Sequence, residues 1–439
     1  MCQETVAPSK GPASPYTQQT EAPVGEKRVE MRVGDRVYDV TQFVKRHPGG
    51  SVIAYYAQQD ATDAFDAFHQ RSDKAKKVLN SLPSRPVADH DAKSFSAGDR
   101  AFIEDFRSFR QELIDEGYFD PSYAHVAYRL VELVAMFVLH FWLLSIGRWG
   151  LAAIVGGIAT GRAGWVQHEG GHNSLTGIPW IDKAIQRVAI AFGVLTYGWK
   201  WNDTHNRHHA TPQKVDHDFD IDTLPFVAFY KEALQIGRNR KSASKQWLKY
   251  QHWSFLPISA GLTGFAWAFY LHPKSYLLKK SRRDLVTFVL VVLRLVAHYL
   301  CCPAGWSLLP RVMSFVLTGF IGGMYLFGNF SVSHTHLPVT FRDENRNWVE
   351  YGINYTMNVD PNPVVSWWMG YLNCQIEHHL FPSMPQFRQT KLTHRTRAFC
   401  EKHGLNYQSM NYFQAVKATL MNLKHVADHI SAADADKED

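Results

Sequence analysis

The sequence predicts a small α+β domain followed by an α-helical integral membrane domain, with about four transmembrane helices and a cytosolic helical cap holding a histidine-rich site. Three observations predict this. Apolar runs of near-bilayer length bunch between residues 130 and 328, the 22 histidines recur in tight groups, and a short strand-and-turn pattern precedes both. The 439 residues allow about two to four domains. Although 46% of residues are apolar, the mean hydropathy is slightly negative, so the chain is not membrane throughout. Five cysteines without a CxxC pair make no disulfide framework and suit a reducing compartment. Met1 to Thr20 lacks the apolar core of a signal peptide. The net charge of +7 comes with apolar runs and no basic tract, which points to a membrane surface and not to nucleic acid.

The elements follow in order. Residues 1–27 are polar and Pro-containing, and are expected to form a disordered leader. Over 28–86, Val33, Val37, Tyr38 and Val40 suit a hairpin around Gly34-Asp35, with helix-like segments at 50–59 and 61–70. In 87–122, Phe102, Phe106 and Phe109 recur at helical spacing and predict a linker helix against the membrane or the next domain. The membrane domain is placed at 123–415, with a C-terminal helix and tail at 416–439. Its expected spans are 130–147, 149–166, 285–301 and 306–328, the last two joined by the Cys302–Gly305 turn. The histidine groups at 168–172, 205–209 and 378–379 can meet only if an even number of spans separates 209 from 378. Segments 184–199 and 253–271 are therefore read as interfacial or re-entrant. Lys274, Lys279, Lys280, Arg282 and Arg283 place the 272–284 loop, and with it both termini, in the cytosol.

His47-Pro48-Gly49-Gly50 forms a turn, and His69 ends a helix-like segment that starts in Asp60-Ala61-Thr62-Asp63-Ala64-Phe65. Two neutral imidazoles facing each other hold a six-coordinate haem iron that carries electrons and leaves no open position. Phe65 and Phe68 are available to wall such a pocket. Residues 33–72, with VYDVTQF before HPGG and DATDAF before His69, resemble the cytochrome b5 domain. The resemblance implies that His47 and His69 are the axial ligands of haem b. Gln58-Gln59 stand where that domain has a glycine-rich approach.

Three further groups carry the chemistry: His168-Glu169-Gly170-Gly171-His172, His205-Asn206-Arg207-His208-His209, and Gln375-Ile376-Glu377-His378-His379, with His334 and His336 after the last apolar run. Helical residues three or four apart share a face, so HxxxH offers two imidazoles to one metal and HxxHH turns a third toward a neighbouring ion. Such sites suit iron, zinc or copper and not magnesium or calcium. HEGGH also matches the HExxH of zinc peptidases. Two glycines in that helical turn cost about 1 kcal/mol each, and a peptidase leaves the other groups unexplained. Glu169 is instead expected to orient an imidazole.

The three groups together closely resemble the membrane-bound fatty-acid desaturases over residues 120–415. That resemblance implies two non-haem iron ions held by His168, His172, His205, His208, His209, His378 and His379, with His334 as an eighth ligand and dioxygen as co-substrate. Gln375 in place of the usual first histidine of the third box, with the fused cytochrome b5 domain, marks the front-end group. Its members insert a double bond between an existing one and the carboxyl end of a fatty acyl chain, carried on CoA or phospholipid. Electrons would come from NADH-cytochrome b5 reductase at the endoplasmic reticulum. QHEGGHNSLTG, HNRHHATPQKV and GYLNCQIEHHLFPSMPQFRQ look most like delta-6 enzymes, while EGYFDPS and SHTHLPVT look nearer to delta-5 enzymes, so delta-6 is the favoured expectation and delta-5 the next. Rival readings are a sphingolipid long-chain-base desaturase, a di-iron hydroxylase and a membrane-tethered haem electron carrier without catalytic iron. Trp199, Trp201, Trp367 and Trp368 read as interfacial belt residues ahead of tunnel lining. The acidic tract Asp216, Asp218, Asp220 and Asp222 reads equally as a solvated loop or as groups that orient ligands.

Overall fold

The computed structural model describes residues 28–88, 100–234, 246–271, 273–274, 277, 284–341 and 346–435. The expected leader and the basic residues Lys279, Lys280, Arg282 and Arg283 lie outside them. Strands Glu30–Val33 and Arg36–Asp39 pair antiparallel around Gly34, whose φ of +64° needs no Cβ to be accommodated. Alternate residues Met31 and Val33 face inward and pack on Tyr38, Val40, Ile53 and Leu79. A third strand, Ser84–Pro86, closes the sheet after helix Asp73–Asn80, which Ser72 caps by accepting from the Ala75 amide. Neither was expected, because both are short and mostly polar. Segment 50–59 differs too: it is a 3₁₀ turn, Ser51–Tyr56, ending at Gln58, which takes a left-handed φ of +59°. Helix Thr62–His69 stands where expected.

Helix Arg100–Asp115 presents Phe102, Phe106 and Phe109 to Phe381 and Phe399, with Phe106 and Phe381 stacked at 5.8 Å. The linker therefore lies on the C-terminal domain.

Helices Tyr123–Ser145 and Trp149–Gly171 form an antiparallel pair, and Asp284–Cys301 and Leu308–Ser331 a second. Their turns meet, since Leu144, Ala152 and Cys302 share one apolar cluster. A helix of this length rises about 35 Å, so the histidines at the other ends of 149–171 and 308–331 share the opposite side. By length and composition, Tyr123–Ser145, Gln251–Leu271 and Leu308–Ser331 can cross a membrane, and 285–301 is a shorter apolar helix. Segment 253–271, read above as interfacial or re-entrant, is thus long and apolar enough to cross a membrane, and helix Trp149–Gly171 is not among these three. Gln251–Leu271 is one helix with two π-helical stretches, lying along 308–331 where Gly264 meets Gly323 and Gly261 meets Phe320. Segment 184–199 is not a single helix: Pro179–Val188 runs into a π turn at Ala189–Gly193 and a bend. Above the bundle, helices Gly198–Ala210, Trp348–Asn354, Gln375–Leu380 and Thr393–Lys402 form the cap, with Tyr412–Ala435 along its side.

Candidate metal centres

His168 lies in the last turn of helix Trp149–Gly171 and His172 caps it. His205, His208 and His209 lie on Gly198–Ala210, His378 and His379 on Gln375–Leu380, and His334 just beyond Leu308–Ser331. Four segments distant in sequence thus converge, and every one of these imidazoles is buried. They sort into two groups. Ring nitrogens of His168, His172, His205, His209 and His378 lie within 4.8 Å of one another, as do those of His208, His334 and His379. The i, i+4 pairs enter the first group, and His208, off that face, enters the second.

The nitrogens face each other. Nε2 of His205 lies 3.0 Å from Nε2 of His172 and 3.1 Å from that of His209, which is itself 3.0 Å from Nε2 of His378. A neutral imidazole nitrogen has a proton or a lone pair, never both. His205 and His209 each face two such nitrogens, so hydrogen bonding alone cannot satisfy both contacts. In the second group Nε2 of His208 and both nitrogens of His379 are buried with no hydrogen-bond partner among the described residues. Burial holds His205, His209, His378 and His379 well below the usual histidine pKa, and pushes His334 down to about 3. Neutral, dry, convergent lone pairs are what a metal cation satisfies.

Outer partners aim the rings. Asp218 Oδ2 lies 2.9 Å from His208 Nδ1, with Asp220 at 3.4 Å; burial lowers the His208 pKa, but the two carboxylates outweigh it and hold the ring up at about 9. The same contact fixes the proton on Nδ1 and leaves Nε2 for a metal. Of the acidic tract, Asp218 is thus an orienting group, not a solvated one. Glu169 does not touch an imidazole, contrary to expectation. Its carboxylate takes Arg129 at 3.3 Å and the Gln386 backbone N–H at 3.0 Å, while the Gln386 carboxamide lies 2.7 Å from His168 Nδ1. The amide nitrogen of Gln386 is the atom that faces Nδ1, and the contact fixes the position of the His168 ring. Gln386, which no spacing rule singles out, therefore does what Glu169 was expected to do. Gln375 is buried beside His334 in the second group and donates to the Leu372 carbonyl at 3.1 Å. His336 joins neither group. Trp201 stacks on His205 at 4.2 Å, Trp367 donates to Glu132 of helix Tyr123–Ser145, and Trp368 donates to Tyr412.

In the N-terminal domain the His47 and His69 rings face each other at 6.2 Å. Nδ1 of His47 lies 3.0 Å from the Gly50 carbonyl and Nδ1 of His69 3.1 Å from that of Phe65. Both donate from Nδ1, leaving Nε2 of each for a central metal. Burial lowers both pKa values, that of His69 to about 4, so the rings are neutral. The residues fit a bis-histidine haem.

Comparison with known proteins agrees with this geometry. Residues 144–411 match the fatty acid desaturase family, and residues 18–87 match the cytochrome b5-like heme/steroid binding domain. An "Acyl-lipid (8-3)-desaturase" of Rebecca salina is 45% identical over 95% of this chain and 96% of its own. A protein of the same name from Thraustochytrium sp is 40% identical over 94% and 96%. The "Delta(6)-fatty-acid desaturase fat-3" of Caenorhabditis elegans is 28% identical over 92% and 97%.

Proposed function

The chain belongs to the fatty acid desaturase family, with a cytochrome b5-like domain fused to its N-terminal side, and from that premise we propose which residues hold its metals and where its double bond goes. It is an oxidoreductase of the front-end acyl-lipid desaturase type. His168, His172, His205, His209 and His378 hold one iron ion, and His208, His334 and His379 the other. His47 and His69 hold haem b. The observation that carries this reading is the set of eight buried imidazoles whose nitrogens converge without protons enough to satisfy one another.

Bound there, the iron pair and dioxygen supply the oxidising power that an unactivated C–H bond requires, since no side-chain base can deprotonate a methylene. The chain's own residues keep the site dry, hold seven of the eight rings neutral by burial, and fix the rings through Asp218 on His208 and Gln386 on His168. Gln375 sets the second group through His334. The proposed division is a leader at 1–27, the haem domain at 28–86, a linker at 87–122, the desaturase domain at 123–415 and a C-terminal helix from 416. The membrane is that of the endoplasmic reticulum. The haem domain and metal site face the cytosol, where NADH-cytochrome b5 reductase reaches them, and the acyl chain arrives on CoA or phospholipid.

Regiochemistry is the finer choice. We read "8-3" as an existing double bond at carbon 8 and a new one three carbons nearer the carboxyl end, at carbon 5. Because that name belongs to the relatives at 45% and 40% identity and delta-6 to the one at 28%, carbon 5 is placed ahead of carbon 6. Expression in yeast fed linoleate or dihomo-gamma-linolenate, with the new bond located by mass spectrometry, tests it. A bond at carbon 5 of the longer acid supports the choice; one at carbon 6 of linoleate reverses it. No new fatty acid with an intact haem spectrum rejects fatty-acyl desaturation and turns attention to sphingoid bases.

A further inference from the structure

One haem-ligand segment of the N-terminal domain docks on a histidine-box helix and the other on the linker helix Arg100–Asp115. The HPGG turn rests on helix Gly198–Ala210: Asn206 donates to the Gly49 carbonyl at 3.3 Å and Arg207 to the Ser51 hydroxyl at 2.8 Å. Asn206 and Arg207 lie between His205 and His208, so one helix face holds the metal ligands while the other grips the haem turn. Helix Thr62–His69 is fixed from the other side, where Arg107 clamps the Asp63 carboxylate at 2.8 and 3.0 Å and Arg110 reaches the Asp66 carbonyl at 2.9 Å.

Between these clamps lies Phe68. It was expected to wall the haem pocket, but that role falls to Phe65, stacked on His69 at 4.6 Å. Phe68 turns the other way. Its ring lies 5.7 Å from that of His209, 6.3 Å from that of His172 and 6.3 Å from Trp348, which donates to the His209 carbonyl at 3.0 Å. One residue therefore adjoins a haem ligand through the backbone and touches two rings of the five-histidine group.

We propose that Phe68 is the bridging contact through which the haem passes electrons to the metal pair within one chain. This rests on the two-site reading above. Each event moves one electron: the ferrous haem becomes ferric, the metal pair is reduced by one, and no bond forms or breaks. A nicotinamide-linked flavin reductase restores the ferrous haem. A packed ring fills the gap with close-contact atoms, whereas a smaller side chain leaves a void.

The test uses the full-length protein in detergent, with the haem reduced beforehand and its reoxidation on mixing with oxygen and acyl substrate followed by stopped-flow absorbance. Phe68→Ala is expected to slow the fast phase several-fold without changing the haem band, its midpoint potential or the iron content. Phe68→Trp, which refills the space, is expected to restore it. Reoxidation of Phe68→Ala at the wild-type rate, with haem and iron intact, overturns the proposal. An equal loss in Phe68→Ala and Phe68→Trp overturns it too, because it marks a purely structural residue. A wild-type protein that binds haem but no iron rejects the two-site reading itself.

Discussion

Asp218 shows how much a single carboxylate contributes by aiming an imidazole. Its contact with Nδ1 decides which nitrogen of His208 is free, and a wrong tautomer would point a proton at the second metal. Asp218→Asn is therefore expected to lower metal affinity or turnover about 10- to 100-fold, read as iron per haem and as product per enzyme. The haem band should not change, because Asp218 does not touch His47 or His69. The histidines themselves were legible from the sequence because box spacing is a local property of a helix. Gln386 was not, since its distance from His168 along the chain follows no period and only folding brings its carboxamide to that ring.

At the scale of elements, close packing without Cβ atoms governs the membrane domain. A Cβ on Gly264 would stand 2.8 Å from the Gly323 Cα, a backbone atom that cannot swing aside. Gly264→Leu should separate 251–271 from 308–331 and cost about 1–3 kcal/mol, seen as a lower melting temperature in detergent. Gly150→Leu, where a Cβ meets nothing within 4 Å, is the control expected to melt as wild type. The hairpin at Gly34-Asp35, the aromatic face of the linker and the four bundle helices of 123–171 and 284–331 were all legible, because each repeats a pattern with a period. Helix 251–271 was less legible for a physical reason: its polar start at Gln251 belongs to the cap, where the Gln251 amide donates to the Ala228 and Leu423 carbonyls, while the rest of it is apolar enough to span. Parity of spans alone gave no sign of how deep the rest of it runs.

For the whole molecule, the two metal sites are separately built and mechanically joined. His47→Ala is expected to abolish the haem band and most product while leaving the iron content in place. His378→Ala is expected to do the reverse, erasing product and reducing iron with the haem spectrum intact. Loss of both signals in either variant would mean that the two domains fold as one unit. By itself the sequence determined the domain order and the family, and singled out the His47–His69 pair and the histidine boxes, because box spacing and apolar periodicity are written in neighbouring residues. Only the tertiary structure decided that the buried box histidines and His334 divide five and three, that Gln386 and Asp218 aim two of them, and that Phe68 reaches from helix Thr62–His69 to His172 and His209. Those facts depend on the angles at which helices far apart in the chain cross, and packing of the whole core sets those angles.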